Sequence, residues 1–219
     1  MPVRREGVTA MRFAAMAQTE KYNTLSIGLR PAAPEDAADL VDLVNAAGEG
    51  LPAIFWRSMA PEGIDPFLVG RQRICRDEGV FSYTKAEVAV VGNGVAGTII
   101  DYALPDLPEA VSLETPPLIR PLNELENLAC GSWYVNILAV APAWRRRGIG
   151  QHLLRAAEYR ARRDGRRELA IIVSDGNLPA QRLYAAMGFV ERARRRMFKG
   201  DWQNPGQHWR LLTRPVPRN

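Results

Sequence analysis

The sequence predicts an α/β fold, a single domain on a mixed sheet, and three stretches carry the prediction. The apolar run Ile137 to Val140 stops at Pro142, and Arg145-Arg146-Arg147-Gly148-Ile149-Gly150 then opens a helical pattern at Leu153, Leu154, Ala157 and Ala161. A second compact apolar run, Leu169 to Val173, follows Gly165, so it should lie parallel to the 133–140 strand with the helix as crossover. Upstream, Gly92-Asn93-Gly94 separates two strand-like runs and marks an antiparallel hairpin, because consecutive positive φ angles suit Asn and Gly.

At 219 residues the chain is long enough to bury a core without staples. No apolar run nears the ~20 residues that span a bilayer, so no membrane partner is expected. Cys75, Cys130, His152 and His208 lack metal-ligand spacing. The expectation is no metal, and structural thiols in a reducing cytoplasm. The net charge of +5 comes largely from arginines clustered at 145–147, 160–167 and 192–196. Such clusters suit a solvated surface, a polyanionic ligand or nucleic acid. No zinc finger, aromatic RNA-binding signature or basic heptad accompanies them, so no nucleic acid is expected.

Residues 1–23 are basic and without a sustained period, which predicts a flexible N-terminal tail, with the domain spanning 24–219. Arg12 interrupts a signal-peptide reading, and Met11 or Met16 is an alternative start. Leu25 to Leu29 reads as the first strand. Pro34-Glu35-Asp36 starts a helix whose apolar positions Leu40, Val41, Leu43 and Val44 end at Gly48. Ile54, Phe55, Trp56 and Met59 belong to a second helix, and Pro66 to Gly79 reads as a third. Strands follow over Phe81 to Val91 and Val95 to Leu104. Residues 105–121 hold five prolines and read as a surface loop, with a short helix over Leu122 to Ala129; together 105–130 form an insertion expected near the acceptor site. Asn177 to Met187 is an amphipathic helix stopped by Gly188, and Phe189 to Phe198 pairs with His208 to Arg214.

The basic glycine turn has its own chemistry. The first turn of a helix leaves N–H groups unpaired at the positive end of its dipole, and glycine admits a ligand close to the backbone. An anion site and a solvated basic turn both fit these residues.

Arg145-x-x-Gly148-x-Gly150 resembles the Q/R-x-x-G-x-G/A signature of the GNAT superfamily of acyl-CoA-dependent N-acetyltransferases. Leu138-Ala139-Val140 precedes it, and Asn177-x-x-Ala180-x-x-Leu183-Tyr184-x-x-x-Gly188-Phe189 follows at the spacing of the family's second motif. The likeness covers about residues 24–214. It implies a GNAT-like fold with a central sheet of about six to seven strands, antiparallel in its N-terminal part, and acetyl-CoA as co-substrate. By position, Leu138, Ala139 and Val140 would border the pantetheine arm, with Leu138 N–H polarising the acetyl carbonyl. The amides of Arg145, Arg146, Arg147, Gly148, Ile149 and Gly150 would hold the pyrophosphate. A homodimer, common in the superfamily, is implied only in that sense.

Acetyl transfer needs a neutral amine, although a free alkylammonium has a pKa of about 10.4, and a proton for the departing thiolate. Tyr184 matches the family's general acid, a phenol that stays protonated at neutral pH. Asn177 matches a cofactor contact and is also a good N-cap. Some members place a glutamate on the central strand four residues before the position of Leu138; here that residue is Tyr134, a poor base. Tyr134 and Asn136 share a face with Leu138 if the strand is regular, and would then line the acceptor pocket. Asp101, Glu124 and Glu126 are candidate bases acting through water. The acceptor is expected to be a small-molecule or peptide amine attacking directly in a ternary complex. A non-catalytic acyl-CoA-binding module, an arginine-rich nucleic-acid binder and a Rossmann-type nucleotide site are the competing readings, the last lacking its third glycine and early acidic partner.

Overall fold

The computed structural model describes residues 26–112 and 114–217, so the expectation for residues 1–23 and the first residue of the expected opening strand, Leu25, lie outside the described residues. The strands are β1 (Ile27–Pro31), β2 (Ala86–Val91), β3 (Gly94–Ala103), β4 (Trp133–Val140), β5 (Glu168–Ser174), β6 (Val190–Arg196) and β7 (His208–Pro215). The helices are α1 (Ala37–Ala47), α2 (Leu51–Met59), α3 (Pro66–Ile74), α4 (Arg120–Asn127), α5 (Ile149–Arg163) and α6 (Leu178–Ala186). One seven-stranded sheet runs β1-β2-β3-β4-β5-β7-β6. Only the β4–β5 pair is parallel, as the crossover through α5 requires.

The core follows the alternation of β5. Leu169, Ile171 and Val173 pack with α5 and α6, against Leu153, Leu154, Ala157, Tyr184 and Phe189. Ala170 turns to the opposite face, where Leu125 of α4, Tyr134, Trp202, Trp209 and Leu211 cluster. The same face further along carries α1 to α3, with Leu40, Val44, Trp56 and Ile74 against Val88, Ile100 and Ile137. Leu153, Leu154, Ala157 and Ala161 are all fully buried, the stripe the sequence spacing predicts. Three arginines close the last turn of α5, where the helix dipole favours positive charge.

Local chemistry moves several boundaries. The third helix ends at Ile74 and not Gly79, because Arg76-Asp77-Glu78 offers no apolar side chain to bury. Ser82 instead ties the following turn, donating to Arg76 O at 2.5 Å and accepting from Thr84 N, so β2 starts at Ala86 and not Phe81. In the hairpin Val91 pairs with Gly94 and only Gly92 has a positive φ, 59°, so a single left-handed residue makes the turn. The proline-rich loop is pinned to α4: Asn127 Nδ2 donates to Glu109 O at 2.7 Å and Glu109 N donates back to Asn127 Oδ1 at 3.0 Å.

One irregularity positions the site. On β3, Ile100 pairs with Ile137 and Asp101 with Val135, which leaves Asn136 as an extra residue in β4. The bulge reverses the side-chain alternation. Tyr134 lies in the α4-side cluster and Leu138 packs against the α5-side cluster, so the shared face expected of a regular strand does not exist.

Candidate active site

β4 and β5 pair over three positions only, Trp133 with Leu169, Tyr134 with Ala170 and Val135 with Ile171. Beyond them β4 stays with β3 and β5 with β7, and the strands part. The opening is a cleft of about 650 Å³ bordered by Asn136, Leu138, Ala139 and Val140 on one side and Ile171 to Ser174 on the other. Ala141 N donates to Ala96 O at 2.9 Å, toward β3. By alternation along the strand, the amides of Val140 and Leu138 turn the other way, into the opening. The Val140 carbonyl is taken by Arg145 Nε at 3.1 Å.

At the cleft's end a 3-10 turn, Pro142–Trp144, leads into the basic loop, where Arg146 has φ 63° and Gly148, the N-cap of α5, φ 82°. Arg145, Arg146, Gly148, Ile149 and Gly150 line the cleft. Arg147 does not; its guanidinium lies over the Trp144 ring, 5.0 Å from the centroid. A Cβ on Gly150 would come within 2.9 Å of Leu183 Cδ2, so glycine is what lets α5 approach α6 here. Among the described residues no carboxylate pairs with Arg145, Arg146 or Arg147, whereas Arg160, Arg162, Arg166, Arg192, Arg194 and Arg195 each have one. Arg145 and Arg146 thus bring positive charge without a carboxylate partner to the point where unpaired helix N–H groups meet the cleft.

Asn177 does what its N-cap reading requires, accepting from Ala180 N at 3.2 Å, and it also borders the cleft. Tyr184 enters from α6, 5% exposed, with its ring against Phe189 at 5.8 Å. Burial, and then the charge of Glu49, push its phenol well above the usual range, so it remains protonated.

The three candidate bases separate. Asp101 is buried on the α5 side, gripped by Arg160, and does not border the cleft; burial raises its pKa and Arg160 opposes the rise. Glu124 is a surface partner of Arg195 at 2.8 Å. Glu126 is half-buried beside Tyr134, whose ring meets Tyr102 edge-on at 5.8 Å. Burial pushes the Glu126 carboxyl up to about 7, and the Tyr134 hydroxyl turned toward it opposes part of that rise. Tyr134 is itself raised by burial and by Glu126, and it senses Tyr184 as well. Neither Glu126 nor Tyr134 borders the cleft.

The sequence reading did not single out Glu49, Gln151, Ser174 or Trp209, all of which border the cleft. Glu49 was signalled only by its place between Gly48 and Gly50, in a turn between two helices.

Residues 118–189, from the approach to α4 through Phe189, match the family model described as the acetyltransferase (GNAT) family. Among solved structures, one described as an acetyltransferase is 19% identical and covers 87% of this chain and 100% of its own, with a TM-score of 0.59. An N-acetyltransferase from Staphylococcus aureus Mu50 is 19% identical, covering 85% and 99%, with a TM-score of 0.54. A GNAT family acetyltransferase from Elizabethkingia anophelis, solved with acetyl-CoA bound, is 17% identical, covering 87% and 98%, with a TM-score of 0.52. At these identities the likeness is one of fold. No curated protein sequence matches the chain. The stretch that matches the GNAT acetyltransferase family model is thus the β4-turn-α5-β5-α6 unit that builds the cleft, and the chain shares the fold of the acetyltransferase structures over most of its length.

Proposed function

We propose that the protein is an N-acetyltransferase that moves the acetyl group of acetyl-CoA to a primary amine of a small-molecule or peptide acceptor, by direct attack in a ternary complex. The observation that carries this reading is the parting of β4 and β5 after Val135 and Ile171, which brings open β4 amides, an arginine-glycine turn without carboxylate partners and a buried neutral phenol to one cleft. These residues fit acetyl-CoA, which supplies an activated acetyl thioester. An unpaired buried N–H costs about 1–3 kcal/mol, so an open strand edge is stable when a ligand's polar arm completes it.

Each step has a residue to serve it. Leu138 N–H donates to the carbonyl oxygen as negative charge develops there. The amine nitrogen forms the new C–N bond, the C–S bond breaks, and Tyr184 gives its hydroxyl proton to the departing sulfur. The amine's proton passes by way of water to the Tyr134–Glu126 pair, where the Glu126 pKa of about 7 suits a base at neutral pH. Val140 N–H, Asn177 and the 145–150 turn hold the cofactor, Arg147 acting from its Trp144 platform. Asn136, which borders the cleft, faces the acceptor. The cytoplasm is the expected setting, where the free thiols Cys75 and Cys130 stay reduced.

Thiol release from acetyl-CoA, followed with a panel of primary amines, tests this. Amine-dependent release is the expected result; tight CoA binding with no release for any amine would leave an acyl-CoA-binding module.

A further inference from the structure

Glu49 brings a carboxylate into the cleft wall close enough for its charge to act on Tyr184. The turn that carries it, Gly48-Glu49-Gly50, joins α1 to α2 and is conformationally unusual. Glu49 has φ 53°, in the left-handed region that side chains other than glycine avoid. The β6–β7 connection holds it there. Trp202 Nε1 donates to the Glu49 carbonyl at 3.0 Å, and the Asn204 amide donates to carboxylate Oε2. Only one carboxylate oxygen is used in this way, and among the described residues no lysine or arginine pairs with the group. Trp209 borders the same cleft and stacks on Trp202, with centroids 5.6 Å apart and planes at 15°. A carboxylate fixed in the wall of a cleft that an indole also borders can take an alkylammonium.

The nitrogen that Glu49 takes is not the reacting one. A fixed anion stabilises the charged form of the ammonium it pairs with, whereas the attacking nitrogen must lose its proton. That proton has a separate destination in the Tyr134–Glu126 pair. Glu49 therefore suits a second positive charge on the same acceptor.

We propose that Glu49 and Trp209 form a subsite for the second ammonium of a diamine-like acceptor, one with two basic nitrogens separated by an alkyl chain. The inference rests on the acetyl-transfer reading above and specifies its substrate class. A free polyamine and a peptide with neighbouring basic groups share this chemistry.

The test compares pentane-1,5-diamine with 5-aminopentan-1-ol, which replaces one ammonium by a hydroxyl, using the full chain and saturating acetyl-CoA. The diamine should be preferred by at least about tenfold in kcat/KM. Glu49→Gln keeps an acceptor for Asn204, and Glu49→Gly removes the backbone conflict. Both should erase the preference by raising the diamine KM, with kcat and the acetyl-CoA KM held within about twofold. A lysyl-lysine amide in a parallel arm tells a peptide source from a free polyamine. Equal use of diamine and amino alcohol overturns the inference, and so does a loss in kcat at constant diamine KM. Calorimetric binding of the two probes to the CoA-loaded protein reads the same preference without turnover. A retained binding preference with no acetylation then counts against the acetyl-transfer reading alone, whereas equal binding counts against the subsite.

Discussion

Arg160 of α5 grips Asp101 of β3 through two hydrogen bonds, Nε to Oδ1 at 3.0 Å and Nη2 to Oδ2 at 2.6 Å, and its remaining nitrogen pairs with Glu87 of β2. The Asp101 side chain is 4% exposed, so the pair is a desolvated clamp between helix and sheet. Replacing Asp101 by Asn leaves the guanidinium without its full anionic partner and should cost about 3 kcal/mol, read from the shift in urea unfolding. Turnover per folded molecule and its pH profile should stay as in the wild type. Loss of the acidic limb in Asp101→Asn would return Asp101 to the list of bases.

Glu126 makes an opposite pair of predictions. Its pKa is raised in the fold to about 7, so the folded state binds the proton more tightly than the unfolded chain, whose glutamates titrate near 4.3. Between those values the native state holds more protons, and its stability falls as pH rises. Above the window the buried carboxylate costs on the order of 3 kcal/mol relative to a solvated one. Glu126→Gln should flatten the stability profile between about pH 5 and pH 8 and stabilise the protein at the alkaline end. It should also abolish an inflection near neutrality in kcat/KM and reduce the plateau by roughly 10²-fold. A variant that keeps the wild-type slope and inflection removes Glu126 from the proton path.

Tyr184→Phe should lower kcat by roughly 10²-fold and leave the acetyl-CoA Kd unchanged, because only the proton donor is deleted. Since burial holds the phenol protonated, the wild type should show no alkaline loss assignable to Tyr184 below about pH 10. Single-turnover thiol release measures the first effect, and calorimetry with CoA the second.

Arg146 separates stability from ligand binding. With φ at 63° it occupies the left-handed region, where a Cβ costs roughly 1–2 kcal/mol. Arg146→Gly relieves that strain, partly offset by the greater freedom of glycine in the unfolded chain, so the ligand-free protein should be stabilised by up to about 1 kcal/mol. The lost charge should weaken CoA binding several-fold and reduce its salt dependence. Thermal unfolding with and without CoA reads both signs in one experiment; a ligand-free protein that loses several degrees contradicts the strain argument.

The strand-turn-helix side of the cleft was legible in the sequence because its determinants are local. Apolar runs, a glycine N-cap and the stripe at Leu153, Leu154, Ala157 and Ala161 lie within one strand-turn-helix unit, and Asn177 and Tyr184 share one helix. The surroundings of the candidate carboxylates were not, because their determinants are contacts between distant residues. Asp101 reads as a free carboxylate until Arg160, 59 residues on, closes over it. Glu49 is an unremarked turn residue until Trp202 and Asn204 reach it from the far end of the chain. Arg147 sits inside a motif, yet its place over the Trp144 ring and off the cleft lining is a matter of side-chain packing. The extra residue at Asn136 is decided by pairing with β3, which side-chain periodicity in β4 does not encode.

That bulge divides β4 into two half-strands of opposite phase. Substitutions at Tyr134 repack the wall beneath α4, and substitutions at Leu138 or Val140 repack the wall beneath α5. A lineage could therefore retool one end of the strand while the other stays fixed, with the extra residue Asn136 as the joint between two independently tunable modules. Deleting that one residue would let Val135 and Ile137 follow one another in regular alternation opposite Asp101 and Ile100, and the strand would lose its joint.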